Sequence, residues 1–171
     1  MKTVPTTVTY LEMRSAPEGP PEAAPCESSI ERAERMPIGE YRALYDAVGG
    51  PFKWIARKLL SDAEVAEIIH HPLVDVHVMT TAGEASGFVE LDRRNSGEIE
   101  VLYFGIVADH FGKGLGRYLL NWTIHEAWSH EIDRLWLHTC TLDHAQALPN
   151  YLKAGFSVFD AKQIMQQLAD D

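Results

Sequence analysis

Apolar positions change period several times along the chain, and each change marks an element. Residues 6–13, TTVTYLEM, alternate and carry β-branched side chains, which predicts a short strand. Residues 15–29, SAPEGPPEAAPCESS, hold four prolines and predict an exposed, partly extended loop. SIERAERM, residues 29–36, predicts a second strand. PIGEYRALYDAV opens on Pro37 and stops before Gly49-Gly50, a helix start and a helix stop. SDAEVAEIIHH predicts another helix, with Ser61 as N-cap and Glu64 at the capping-box position. VDVHVMTT and ASGFVELD read as strands around a turn near Gly83. EIEVLYFGIV, residues 98–107, is almost continuously apolar after its glutamates, the pattern of a central strand. Helix LGRYLLNWTIHEAWSH, strand RLWLHTCT, short helix HAQALPNYLKAG with Pro149 inside it, and a last strand over 156–168 complete the order.

Strands first, then strand-helix-strand-helix-strand, is a mixed α/β (α+β) order. The unit from Glu98 to Cys140 is a strand-helix-strand crossover, so its two strands should run parallel. The chain of 171 residues is 46% hydrophobic, enough for one main domain with a real core. A formal net charge of -10 argues against a general nucleic-acid binder, which needs clustered Lys and Arg, and fits a cationic partner better than an anionic one. Two distant cysteines, Cys26 and Cys140, make no disulfide framework and point to a reducing compartment. With no signal-peptide core and no bilayer-length apolar run, a cytosolic protein without a membrane partner is expected.

The candidate chemistry starts at DHFGKGLGRYLL, residues 109–120. Gly112, Gly114 and Gly116 stand just before a helical pattern, with Lys113 and Arg117 among them. The stretch lacks the Gly-Lys-[Ser/Thr] ending of a P-loop and the spacing of the dinucleotide fingerprint. Glycines nevertheless let a phosphate approach the backbone, and the first amides of a helix are unpaired donors at its positive end. Arg117 opposes that dipole unless an anion sits there. The alternative is a plain glycine turn before an ordinary helix.

IVADHFGKGLGRYLL resembles the acetyl-coenzyme A loop of the Gcn5-related N-acetyltransferase superfamily, whose signature is Gln/Arg-x-x-Gly-x-Gly/Ala. Lys113, Gly114 and Gly116 match it as they stand; Phe111 occupies the Gln/Arg position. HAQALPNYLKAGF resembles the superfamily's Asn-x-x-Ala-x-x-Leu-Tyr-x-Lys-x-Gly-Phe segment at Ala147, Tyr151, Lys153, Gly155 and Phe156, with His144 for Asn and Asn150 for Leu. The likeness covers the C-terminal third, and the strand order extends it back to about Ser28. It implies an N-terminal extra strand and proline-rich loop at 1–27 and an acetyltransferase-like domain at 28–171. That fold has a mostly antiparallel sheet, a splayed parallel strand pair and flanking helices. The implied activity is transfer of acetyl from acetyl-coenzyme A to a primary amine by direct attack in a ternary complex, without a metal. The acceptor is a small-molecule or peptide amine, and a homodimer stays open.

The resemblance implies residue roles. Ile106, Gly112, Lys113, Gly114, Leu115, Gly116 and Arg117 would hold the coenzyme. Tyr151 would donate to the coenzyme sulfur. Glu100 occupies the strand position of a base or water-positioning carboxylate, with Glu98 on the same face; both also suit a polar strand entrance. Trp54, after Gly-Gly-Pro, is a pocket candidate, and Arg57 would meet an acceptor carboxylate; Tyr41 and Tyr45 fit a helix packed on the sheet. His125 and His130 are five apart, not the i, i+4 pair a helical zinc site needs. Cys140, near His138, Asp143 and His144, raises a thiol nucleophile, against the small core residue that a strand-end cysteine usually is. A non-catalytic acyl-coenzyme A binding module on the same fold is the reading from another class.

Overall fold

In the computed structural model, which describes residues 1–168, the strands form one sheet of seven in the order β2-β3-β4-β5-β6-β1-β7. They are β1 (Thr3–Met13), β2 (Ser28–Arg32), β3 (Val74–Thr81), β4 (Glu84–Asp92), β5 (Glu98–Ile106), β6 (Arg134–Cys140) and β7 (Ser157–Gln167). Four helices flank it: α1 (Ile38–Gly49), α2 (Asp62–Ile69), α3 (Leu115–Trp128) and α4 (Ala147–Ala154). The last three residues of the expected domain, 169–171, lie outside the described residues. The mixed α/β class and the central place of the 98–107 strand hold, as does the parallel crossover: β5 and β6 pair in parallel, and every other pair is antiparallel. The strand expected over 29–36 ends early, because Arg35 takes φ 47° and turns the chain toward α1.

The first strand is not peripheral. β1 lies between β6 and β7, with Val8 opposite Cys140 on one side and Lys162 on the other. Pro5 has no N–H to give to a sheet, and it precedes Val8, where pairing with β6 begins. Burial along β1 follows Thr6 and Val8, then Leu11 and Met13, so its inward phase flips. Pairing with β6 runs unbroken through this stretch, so Thr6 and Val8 lie on the opposite face from Leu11 and Met13; the register shift with β7 between Tyr10 and Leu11 leaves Phe159 of β7 as the extra residue.

β5 carries a second shift, and this one builds the site. Glu90 pairs with Tyr103 but Leu91 pairs with Val101, which leaves Leu102 as the extra residue. Ile99 and Val101 before it, and Phe104 and Ile106 after it, pack with α3. Tyr103 joins α1 on the opposite face. Glu100 alternates with Ile99 and Val101, so it shares that opposite face with Tyr103.

The sheet is covered on both sides. α3 buries Leu115, Leu119, Leu120, Ile124 and Ala127 against β5 and β6; each fully buried leucine there contributes about 1.5–3 kcal/mol. α1 and α2 bury Tyr41, Leu44, Val48, Val65 and Ile69 on the other face. The capping box of α2 forms as read, with Ser61 Oγ accepting from the Glu64 amide and Glu64 accepting from the Ser61 amide at 2.7 Å. Pro149 is the third residue of α4, where its missing N–H removes no helical bond.

Candidate functional site

β5 and β6 are paired from Glu98–Arg134 to Val101–Leu137 and then diverge. The gap opens a cavity of about 530 Å³, within the usual range for a small-molecule site. One part of its lining is the glycine turn and the start of α3, another is the segment after α1 and the turn after β6, and the two approach where the His144 ring meets Phe111 at 5.5 Å and Phe52 at 6.0 Å.

In the first part, Gly112 and Gly114 both adopt φ 77°, which a side chain would strain. Gly114 is the N-cap of α3 and no side chain caps the helix, so the amides of Leu115, Gly116 and Arg117 remain outward donors. Gly116 differs: a Cβ there would meet only Ile106 Cγ1 at 3.8 Å, an ordinary contact. The fold itself does not require glycine at 116. Ile106, Gly112, Gly114, Leu115, Gly116 and Arg117 all line the cavity. Lys113 is exposed on the loop beside it.

Arg117 already has an anion, supplied by the chain itself. Its Nη2 donates to Glu22 Oε1 at 2.7 Å and its Nε to Glu22 Oε2 at 3.1 Å. The proline-rich loop lies along α3: the Glu22 amide donates to Asn121 Oδ1 at 2.8 Å, and the His125 ring meets the Gly19 carbonyl at 3.0 Å. Sequence reasoning had no signal for this contact, which joins residues 95 positions apart. It also occupies His125, whose other ring nitrogen meets the Asn121 carbonyl at 2.9 Å. Among the described residues no group of three His, Cys, Asp or Glu side chains is placed to hold a metal.

Tyr151, carried by α4 and edge-on to Phe104 and Phe156, also lines the cavity. Burial pushes its phenol well above the ordinary range, with the nearby Asp143 charge adding to the effect. The hydroxyl is therefore protonated at any working pH. Cys140 also lines the cavity, and burial raises its thiol too, which leaves the nucleophilic thiolate scarce.

In the second part, Trp54 is positioned by a short 3₁₀ turn over Gly50–Phe52 and by Lys53 at φ 59°. Its ring lies on Gly49 so closely that a Cβ there would come within 2.1 Å of it. Trp54, Tyr45 and Tyr103 form an aromatic group with centroids 5.1–5.3 Å apart. Arg57 stacks over Tyr103 at 4.9 Å, but its carboxylate partner is internal: Nη2 donates to Glu90 at 2.6 Å. Tyr41 donates to the other Glu90 oxygen at 2.5 Å, and Glu90 is fully buried. A lone glutamate in an alternating strand reads as solvent-facing, which is why this pair escapes the sequence.

Glu100 does not line the cavity, although its neighbours Val101 and Tyr103 do. Burial, with Asp92 and Glu98 adding repulsion, pushes its carboxyl up to about 7. Glu98 instead accepts from Arg134 at 3.2 Å. The carboxylate that does reach the cavity is Asp143, in the turn after β6.

A doubly covered mixed sheet, one splayed parallel pair and a glycine turn at the gap are the architecture of the acyl-coenzyme A acyltransferase fold. The profile of the Acetyltransferase (GNAT) family matches residues 41–156, and the chain belongs to that family. Its fold is similar to a putative GNAT-family acetyltransferase from Novosphingobium aromaticivorans, at 15% identity and TM-score 0.65 over 96% of this chain and 65% of that one. It is similar also to the ribosomal-protein-S18-alanine N-acetyltransferase of Escherichia coli, at 21% identity and TM-score 0.61 over 76% and 77%. A third is an aminoglycoside acetyltransferase from an uncultured soil metagenomic sample, at 13% identity and TM-score 0.60 over 75% and 87%. At such identities the likeness concerns the fold. The chain spans 61%, 65%, 55% and 57% of the length of four solved structures that it matches over 93% or more of its own. No curated protein matches the sequence. Among the described residues no helix is long and apolar enough to cross a membrane.

Proposed function

We propose that the protein is an acetyl-coenzyme A-dependent N-acetyltransferase that passes acetyl directly to a primary amine in a ternary complex. The observation that carries this reading is that the glycine turn, the uncapped first turn of α3 and Tyr151 line one continuous cavity. The amides of Leu115, Gly116 and Arg117 would hold the pyrophosphate, with Gly112 and Gly114 letting it approach. The pantetheine would follow Ile106 into the gap between β5 and β6.

Transfer forms a C–N bond and breaks a C–S bond; an amine that arrives as ammonium gives up two protons, one before attack and one from the tetrahedral intermediate, while the sulfur takes up one, so one proton passes to solvent overall. Tyr151 supplies the proton for the leaving sulfur. A thiolate with pKa about 8.5 leaves fairly readily, so this help is worth the low end of the ~10²–10⁴-fold typical of a positioned acid. Glu100 receives the amine proton through water, since it stands behind Tyr103 rather than in the cavity. A carboxyl at about 7 is a stronger base than an ordinary one and is half ionised at neutral pH.

One observation favours a non-catalytic acyl-coenzyme A module: the strand carboxylate stops short of the cavity. Thiol release from acetyl-coenzyme A across a panel of amines tests the choice. Saturable, amine-dependent release supports the enzyme; tight coenzyme binding without release from any amine supports the module.

A further inference from the structure

The second part of the cavity lining carries a carboxylate with a job half done. Asp143 Oδ2 accepts from the Thr139 hydroxyl at 2.6 Å and from the Cys140 amide at 2.9 Å. The Asp143 amide returns a bond to the Cys140 carbonyl at 3.0 Å, so the turn after β6 fixes the side chain. Its second oxygen, Oδ1, has only the Trp54 indole N–H at 3.5 Å, too long for a full hydrogen bond. A carboxylate held rigidly through one oxygen presents the other as an acceptor of fixed direction.

The surroundings say which donor it suits. Trp54 and Tyr103, 5.1 Å apart, line the same cavity as Asp143, with Phe52 beside them. Aromatic faces attract a cation and bury an apolar body. An alkyl amine, with pKa about 10.4, arrives as an ammonium ion. An α-amino acid would also bring a carboxylate, but the Arg57 guanidinium is bound to Glu90 at 2.6 Å, and a second anion would face Asp143. The formal net charge of -10 favours a cation further.

We propose that Asp143 Oδ1 receives the acceptor's amino group, and that the acceptor is a primary amine on an apolar or aromatic body, without a carboxylate beside the nitrogen. This rests on the acetyltransferase reading for its consequence, but the binding site stands on its own geometry. Asp143 contacts the amine and selects it; the proton still leaves toward Glu100.

Calorimetry with three probes of like shape tests it, on the protein alone and with coenzyme A: phenethylamine, 2-phenylethanol and phenylalanine. In the wild type, phenethylamine should bind about tenfold or more tighter than the alcohol, the usual strength of a hydrogen bond to a charged group, and tighter than phenylalanine. Asp143→Asn should bring amine and alcohol to within about twofold. Equal wild-type affinity for amine and alcohol, undetectable amine binding, stronger phenylalanine binding, or a folded Asp143→Asn protein that keeps the amine preference would each overturn the proposal. Should Asp143→Asn fail to fold, the three wild-type affinities decide it. Amine preference without thiol release from any amine would leave this site standing and sink the acetyltransferase reading. Thiol release that ignores Asp143→Asn would do the reverse.

Discussion

Two parts of the cavity lining are built from different material. The part proposed for the coenzyme is backbone: one local stretch, 111–117, sets two positive φ angles and leaves three helix amides open. The part proposed for the acceptor is side chains brought from distant places: Trp54 after α1, Tyr103 on β5, Asp143 after β6. A backbone cradle tolerates exchange of the side chains around it, so Phe111 can stand where a polar residue is usual. A side-chain pocket changes its ligand with each residue exchanged. The family resemblance therefore speaks for the donor, and the acceptor has to be read from the structure.

Tyr151 is the residue proposed to act on the leaving sulfur itself, so its change should have the largest effect. Tyr151→Phe keeps the ring against Phe104 and Phe156 and removes only the oxygen. It should lower kcat about 100-fold with acetyl-coenzyme A affinity nearly unchanged, the mark of a contact made in the transition state. Steady-state kinetics with a chemistry-limited amine, beside calorimetry, checks this; wild-type kcat would make Tyr151 a packing residue.

Glu100, outside the cavity, should show its burial in stability. Its carboxyl titrates at about 7 when folded against an ordinary value of 4.5, so the folded state binds the proton more tightly. The penalty on folding is full above about pH 7, shrinks as pH falls from 7 to 4.5, and is gone below 4.5. Glu100→Gln should therefore melt several degrees above wild type at pH 8 and close to it at pH 4, by calorimetric melting at both pH values. The rise of wild-type kcat/KM through pH about 7 should vanish in the same variant. A constant melting difference would mean that Glu100 is solvated like a surface carboxylate.

The smallest effect belongs to the proline-rich loop. Glu22→Ala releases Arg117 for the phosphates and should tighten acetyl-coenzyme A by about two- to threefold at low salt, since exposed pairs are weak. Weaker binding would show instead that the loop helps form the coenzyme site.

What the sequence made legible follows the same division. Local period and local stop signals placed β5, α3 and the capping box of α2, and contiguous residues placed the glycine turn. Long-range choices were not legible. The insertion of β1 between β6 and β7 depends on pairing partners more than 120 positions away, as Val8 with Cys140 shows. Glu100 stood out because it precedes the glycine turn by a familiar interval, but the extra residue Leu102 decides which residues reach the cavity. Arg57 looked like a ligand for an acceptor carboxylate because Glu90 is invisible as its partner until β4 is folded against α1. Asp143 drew notice only as a neighbour of Cys140, and the turn that aims its oxygen appears only in three dimensions.

Calorimetric titration of wild type and Gly116→Val with acetyl-coenzyme A at low salt tests the central claim most directly. A Cβ at 116 meets nothing in the protein closer than 3.8 Å, so the variant should fold and melt like wild type. The account predicts saturable wild-type binding, weakened at least about tenfold in Gly116→Val, because the added carbons stand where the phosphates approach α3. No binding by wild type, or equal affinity in a folded Gly116→Val protein, would contradict it.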